Sequence, residues 1–191
     1  MMNGIVLAGG LSTRMGKDKA SLPWGDSDLL HTVLHRLVPV CNKVIVVTNI
    51  ERDVRIKGIQ FVADRYQRCG PLAGIQVGLQ ASDSDYNFIV ACDMPHLSSA
   101  AITYMEQAAI GYEAAVPCID GYFHPLHAVY HRSCLPYIDA LLAGGNYRIK
   151  DLYDYVRLLR IDKQALQCFD GTLKMLDNVN TPEEYRSTQK G

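Results

Sequence analysis

Long apolar runs, paired-cysteine spacings and an excess of charge of either sign are all missing from this chain. Of its 191 residues, 19 are Lys or Arg and 20 are Asp or Glu, for a formal net charge of −1. So even a balance advertises no broad attraction for polyanions, and nucleic acid is not an expected partner. The apolar run near the start, Gly4 to Ala8, falls far short of the roughly 20 residues that cross a bilayer, and it carries no basic leader or small-residue cleavage site. No membrane role is expected, and the cytoplasm is the expected compartment. The six cysteines, Cys41, Cys69, Cys92, Cys118, Cys134 and Cys168, are scattered without a C-x-x-C pair or metal-finger spacing. They are expected to be reduced and mostly buried. Cys92 precedes Asp93, but no nucleophile-and-base pairing stands beside it, so a small apolar role at a strand end is preferred. Internal repeats, low-complexity stretches and linkers are absent as well. A single domain over 1–191 is expected, burying roughly 70% of its unfolded surface.

Two common nucleotide fingerprints are also missing. Gly10 to Lys17 is one residue too long for a Walker loop, and Asp18 stands where Ser or Thr is required. The glycines at 9, 10 and 16 do not make G-x-G-x-x-G. What is present is an unalternated apolar strand, Ile5 to Ala8, running straight into Gly9, Gly10, Ser12, Arg14, Gly16, Asp18 and Lys19. A strand without polar alternation is expected at the centre of a parallel sheet, buried on both faces. The bare backbone of Ala8, Gly9 and Gly10 suits close approach of an anion and tolerates positive φ. Arg14 and Lys19, with Lys17 as a more exposed third, bring the charge that a polyphosphate needs.

Strand and helix patterns then alternate. Leu29 to Val38 has helical spacing, Val44–Val47 and Ile59–Ala63 read as strands, and Gly70-Pro71 opens a helix with Leu72, Ile75 and Leu79 on one stripe. Gly74 and Gly78 on that helix permit close backbone packing. Phe88–Ala91 is a strand, Ser98 or Ser99 caps a helix toward Ala109, and Ala114–Pro117 is a further strand. The short Asp120-Gly121 link to Phe123–Tyr130 favours a hairpin, and so an antiparallel strand. Helices over Leu135–Leu142 and Ile149–Tyr155, a strand over Val156–Ile161 and a closing helix over Pro182–Thr188 complete the pattern. The expected fold is α/β: a single-domain, Rossmann-like, doubly wound and mostly parallel sheet with an inserted antiparallel strand.

In such sheets ligands bind at the carboxyl ends of strands. The Gly9 loop, Asn49, Asp64 and Asp93 all fall at such ends. Asn49 has an Asx turn as its alternative, and Asp64 has pairing with Arg65 or Arg68. Asp93, in a turn held by Pro95, suits one-point ligation of Mg²⁺ that takes its remaining oxygens from water and substrate phosphates. Its alternative is a helix cap, for which Ser98 and Ser99 are better placed.

From Leu7 to Lys19 the chain reads LAGGLSTRMGKDK, which resembles the signature of the molybdenum cofactor guanylyltransferases, a nucleotidyltransferase family. DRYQRCGPLAGI from Asp64, ACDMP from Ala91 and NVNTPEEY from Asn178 resemble its later motifs, in order. The resemblance implies GTP, molybdopterin cofactor and Mg²⁺ as ligands, and transient contact with proteins that deliver or receive the cofactor. It implies Leu7, Ala8, Gly9 and Gly10 on the nucleotide, Asn49 and Asp64 on the nucleoside side, and Asp93 on the metal. Arg14, Lys19 and Asp93 are the implied catalytic residues, with Lys19 on the phosphates. His124, Arg148, Asn178 and Asn180 are implied on the acceptor side, so that 1–95 is mainly the nucleotide half and 96–191 mainly the acceptor half. His124 has filling a strand face as its alternative, and Thr181 to Glu184 also reads as a helix start. A relative using CTP or another phosphorylated acceptor, and a non-catalytic nucleotide-binding module, remain the alternatives.

Overall fold

The computed structural model describes residues 1–9, 18–64 and 69–179. Gly10, Arg14 and Lys17 of the glycine-rich loop, Asn180, and the expected closing helix from Pro182 lie outside the described residues.

The first strand, β1 (Asn3–Leu7), is buried along its whole length, as its unbroken apolar run requires. A small hairpin follows, β2 (Pro23–Trp24) with β3 (Ser27–Asp28). Strands of two residues carry no readable alternation, and the one sequence signal for this pair is the two-residue Gly25-Asp26 loop, with Gly25 at φ 57°. Asp28 then caps α1 (Leu29–Leu37) by accepting the His31 amide. Next come β4 (Val44–Val47), the edge strand β5 (Ile59–Val62) and α2 (Gly70–Ala81) with Pro71 in its first turn. β6 (Tyr86–Ala91) leads into α3 (Ser99–Ala108), which Ser98 caps through the Ala101 amide at 3.3 Å.

Beyond α3, β7 (Ala114–Ile119) turns through Asp120 and Gly121, both at positive φ (49° and 86°), into β8 (Tyr122–Phe123). That is the mirror-image turn expected of a tight hairpin. The antiparallel segment does not continue unbroken from Phe123 to Tyr130, as the sequence suggests. It stops, and resumes as β9 (His127–His131), with His124, Pro125 and Leu126 forming a turn between. Pro125 has no N–H to give to a ladder, which is why the strand breaks there. α4 (Leu135–Ala143), a 3₁₀ turn over Ile149–Asp154 in place of the expected helix, β10 (Leu158–Ile161) and α5 (Lys163–Gln167) complete the described chain.

Among the described residues the main sheet runs β10-β7-β9-β6-β1-β4-β5, with β8 beside β7. Only β9 and β8 run against the rest. Alternate side chains of β1 feed two cores: Val6 joins Leu30, Leu34, Ile102, Met105 and Leu166 on one face, and Ile5 and Leu7 join Leu72, Ile75, Leu79 and Ile138 on the other. The chain winds from β1 outward to β4 and β5, then returns to β6 on the other flank of β1. The topological switch point therefore lies between the carboxyl ends of β1 and β6. All six cysteines are thiols outside any disulfide, but only Cys41, Cys92 and Cys134 are buried, fewer than expected. Among the described residues, no helix is long and apolar enough to cross a membrane.

Candidate active site

At the switch point the chain from β1 and the chain from β6 are stitched together. The Cys92 amide donates to the Leu7 carbonyl at 3.1 Å and the Ala8 amide to Val47 at 2.9 Å. Leu7 and Ala8 thus bury their side chains in the core and offer the site only backbone. Gly9 is exposed, and a Cβ there would stand 3.7 Å from Asp64 Oδ2, an ordinary contact. Its φ is not positive, so what glycine supplies here is a bare surface rather than a special conformation. Asp64 is accordingly on the Gly9 side of the cleft. Asn49 stands exposed after β4, and the local turn is made by Thr48, whose buried hydroxyl accepts the Ile50 amide at 3.1 Å.

Asp93 is the hub. It is 7% exposed; Lys19 Nζ lies 2.7 Å from Oδ2, and Asn178 Nδ2 donates to Oδ1 at 2.9 Å. The Val179 amide donates to its backbone carbonyl at 2.9 Å. Three segments far apart in sequence therefore meet on one buried carboxylate. Ser98, not Asp93, caps α3, so the carboxylate is spared for the cleft. Cys92 beside it is buried as well: burial, then the Asp93 charge, pushes its thiol up to about 12, against the opposing pull of Arg52 and Lys19. A thiol so held is neutral and no nucleophile.

A cleft of about 220 Å³ adjoins this hub, lined by Met94, Phe123, His124, Pro125, Leu126 and Asn178. The turn that forms its floor is pinned on several sides. Tyr130 Oη donates to the Pro125 carbonyl at 3.0 Å, the Ala91 amide to Leu126 at 3.3 Å, and the His124 amide to Pro117 at 2.9 Å. His124 lies in this turn and not on a strand, and burial lowers its imidazole pKa against the opposing charge of Asp177. Arg148 is not part of the hub. It is exposed, 3.9 Å from Asp151, and follows Tyr147, whose carbonyl would be 3.9 Å from a Cβ on Gly70 at the start of α2.

One residue at the site belongs to none of the sequence motifs. Arg52 lies in the loop after β4 with its side chain only 7% exposed, its Nη1 2.8 Å from Asp18 Oδ2 and 3.1 Å from Ser21 Oγ. A signal for it exists: in Glu51-Arg52-Asp53-Val54-Arg55-Ile56-Lys57, burial alternates, and Arg52 falls in phase with the core-packed Val54 and Ile56.

The family described as MobA-like NTP transferase domain matches residues 4–161. The chain belongs to that family. It is therefore a nucleotidyltransferase of the MobA-like class, and the hub of Lys19 and Asp93 falls inside the matched span. A relative from Pelotomaculum thermopropionicum named as a probable molybdenum cofactor guanylyltransferase is 33% identical over 181 residues, 95% of this chain and 88% of its own. Among solved structures, a molybdopterin-guanine dinucleotide biosynthesis protein A from Archaeoglobus fulgidus aligns with TM-score 0.85 at 24% identity, over 99% of this chain and 97% of its own. A Mycobacterium tuberculosis protein solved as a complex with manganese aligns at TM-score 0.69 and 17% identity, covering 100% of this chain and 98% of its own. Both share the mixed, mostly parallel sheet of the MobA-like fold.

Proposed function

We propose that this MobA-like nucleotidyltransferase transfers GMP from GTP to the phosphate of molybdopterin-bound molybdenum cofactor, forming the guanine dinucleotide and pyrophosphate. The observation that carries the reading is the junction of Lys19, Asp93 and Asn178, where the glycine-rich-loop end, the β6 end and the C-terminal signature converge beside a cleft. The name of the curated relative supports the substrate pair.

An oxygen of the acceptor phosphate attacks the α-phosphorus of GTP. The new P–O bond forms as the bond from that phosphorus to the bridging oxygen breaks, and the electron pair leaves on pyrophosphate. A phosphate monoester is already ionised near neutral pH, so no general base is required, which agrees with a site built of charge and backbone. Lys19 and Arg14 neutralise the phosphates. Leu7, Ala8, Gly9 and Gly10 present backbone to the nucleotide, with Asn49 and Asp64 toward the nucleoside. His124, Arg148, Asn178 and Asn180 serve the acceptor, so that 1–95 holds the donor and 96–191 the acceptor.

Asp93 fits a Mg²⁺ ion. It is a buried hard-oxygen ligand, and among the described residues no group of three or more His, Cys, Asp or Glu could hold a metal by itself. One protein carboxylate completed by phosphate oxygens is the arrangement Mg²⁺ favours. When bound, the ion supplies charge neutralisation to the phosphates.

Pyrophosphate release with GTP or CTP, in the presence of Mg²⁺ and molybdopterin cofactor, tests the assignment. Release with GTP is expected; a clear CTP preference would assign the chain to a cytidylyl-transferring relative. Unchanged turnover in Asp93→Ala would remove the metal role.

A further inference from the structure

Arg52 is buried at an electrostatic cost that its own contacts do not recover. Its side chain is 7% exposed, and among the described residues Nε and Nη2 are buried with no hydrogen-bond partner. Unmatched buried donors cost about 1–3 kcal/mol each, so a guanidinium placed this way is a poor stabiliser of the fold. A few residues on, Arg55 and Asp53 form the ordinary kind of surface pair, 88% and 75% exposed. The difference lies in what Arg52 touches.

Its one well-matched nitrogen grips the segment that carries Lys19. Nη1 reaches Asp18 Oδ2 at 2.8 Å and Ser21 Oγ at 3.1 Å, and Ser21 Oγ in turn donates to Asp18 Oδ2 at 2.7 Å. The three groups close a triangle around the 3₁₀ turn Lys19–Ser21, whose backbone is fastened by Ser21 N to Asp18 O at 3.2 Å and Leu22 N to Lys19 O at 3.0 Å. Lys19, the next residue after the clamped Asp18, sets its ammonium 2.7 Å from Asp93. Burial raises the Asp18 carboxyl, but the hydrogen bonds from Arg52 and Ser21 and the Arg52 charge prevail and hold it below its ordinary value, so it stays an anion able to keep the clamp.

We propose that Arg52 is a positioning residue of the nucleotide site: by fixing Asp18 it fixes the backbone from which Lys19 reaches the phosphates. The loop after β4 thereby braces the segment after β1, and the lysine meets its anion without first being ordered. Arg52 itself acts through Lys19 and makes no contact with the ligand. The inference rests on the proposed reading of this site as a nucleoside triphosphate site.

Calorimetric titration of GTP with Mg²⁺, and separately of inorganic tripolyphosphate, into the full chain and its variants tests it. Arg52→Met is expected to weaken both probes roughly tenfold, the worth of one charge-assisted hydrogen bond. In a Lys19→Met background the same substitution should have no further effect, because the group through which it acts is gone. Asp18→Asn, which removes the other half of the clamp without emptying a buried position, should reproduce the loss. Arg52→Lys should recover part of the affinity, having the charge but not the fork. Wild-type affinity in Arg52→Met would overturn the proposal. So would an undiminished loss in the Lys19→Met background, which marks direct contact or general destabilisation, or a loss confined to GTP. A wild-type chain that binds neither probe would instead overturn the nucleotide reading of the site, and this inference with it.

Discussion

Asp93 shows how much one side chain is asked to do. Its two oxygens are engaged by Lys19 at 2.7 Å and Asn178 at 2.9 Å, in a setting 7% exposed. On the proposed metal role of Asp93, a divalent cation would compete with the Lys19 ammonium for Oδ2, because like charges at such range repel strongly outside bulk water. Lys19→Gln should accordingly bind Mn²⁺ more tightly than the wild type in a nucleotide-free titration, by roughly tenfold, while losing affinity for GTP. Asp93→Asn should lose the Mn²⁺ site while keeping much of its GTP binding. Paramagnetic resonance of free Mn²⁺ reads both, and weaker metal binding in Lys19→Gln would contradict the competition. Asp93 and Lys19 were legible in the sequence because each belongs to a compact motif at a strand end. Arg52 was obscured because five of the seven residues from Glu51 to Lys57 are charged, and only the phase set by Val54 and Ile56 marks the buried one.

At the scale of elements, α2 reaches the sheet through its glycines. A Cβ on Gly78 would overlap Ile5 Cγ2, a branch fixed close to the β1 backbone, whereas one on Gly74 would meet Leu7 Cδ2 at 3.2 Å, the tip of a longer side chain. Alanine gains about 0.5–1 kcal/mol of helix propensity at either position. Overpacking costs about 1–3 kcal/mol where neighbours cannot give way. Gly78→Ala should therefore lower stability by about 1–2 kcal/mol and Gly74→Ala should leave it nearly unchanged, as read from urea midpoints; equal effects would mean that the helix shifts as a body. The long elements were legible for the same reason that they pack: unbroken apolar strands and one-sided helices declare their faces. The turn of His124, Pro125 and Leu126 reads as strand in the sequence because its flanks, Tyr122–Phe123 and His127–His131, are both extended. The proline that breaks the ladder was the available clue, and it is this break that opens the cleft beside Asp93.

At the scale of the whole molecule, acid stability is set within the sheet itself. His127 on β9 pairs with Val90 of β6, is fully buried, and packs edge-on against Phe88 with ring centroids 5.0 Å apart. Among the described residues neither of its ring nitrogens has a hydrogen-bond partner. Burial first, and then the neighbouring His124, pushes its pKa down from 6.5 to about 3. The folded chain thus keeps this imidazole neutral while the unfolded chain protonates it below about 6.5. Stability is unaffected by His127 above that pH and falls progressively from 6.5 toward 3, by up to about 1.4 kcal/mol per pH unit for one proton. Burial also lowers His96 and His124, which add to the slope in the same direction. The depressed carboxyls Asp18, Asp83, Glu113 and Asp170 start from 3.8 or 4.5 and lose their contribution only near and below those values. The interval from pH 6.5 to 5 therefore belongs to the histidines. Urea denaturation across that interval should show a steep loss for the wild type and a slope smaller by close to one proton for His127→Phe, which fills the site without a titrating group. Identical slopes would mean that the strand pair opens to hydrate His127 before the molecule unfolds.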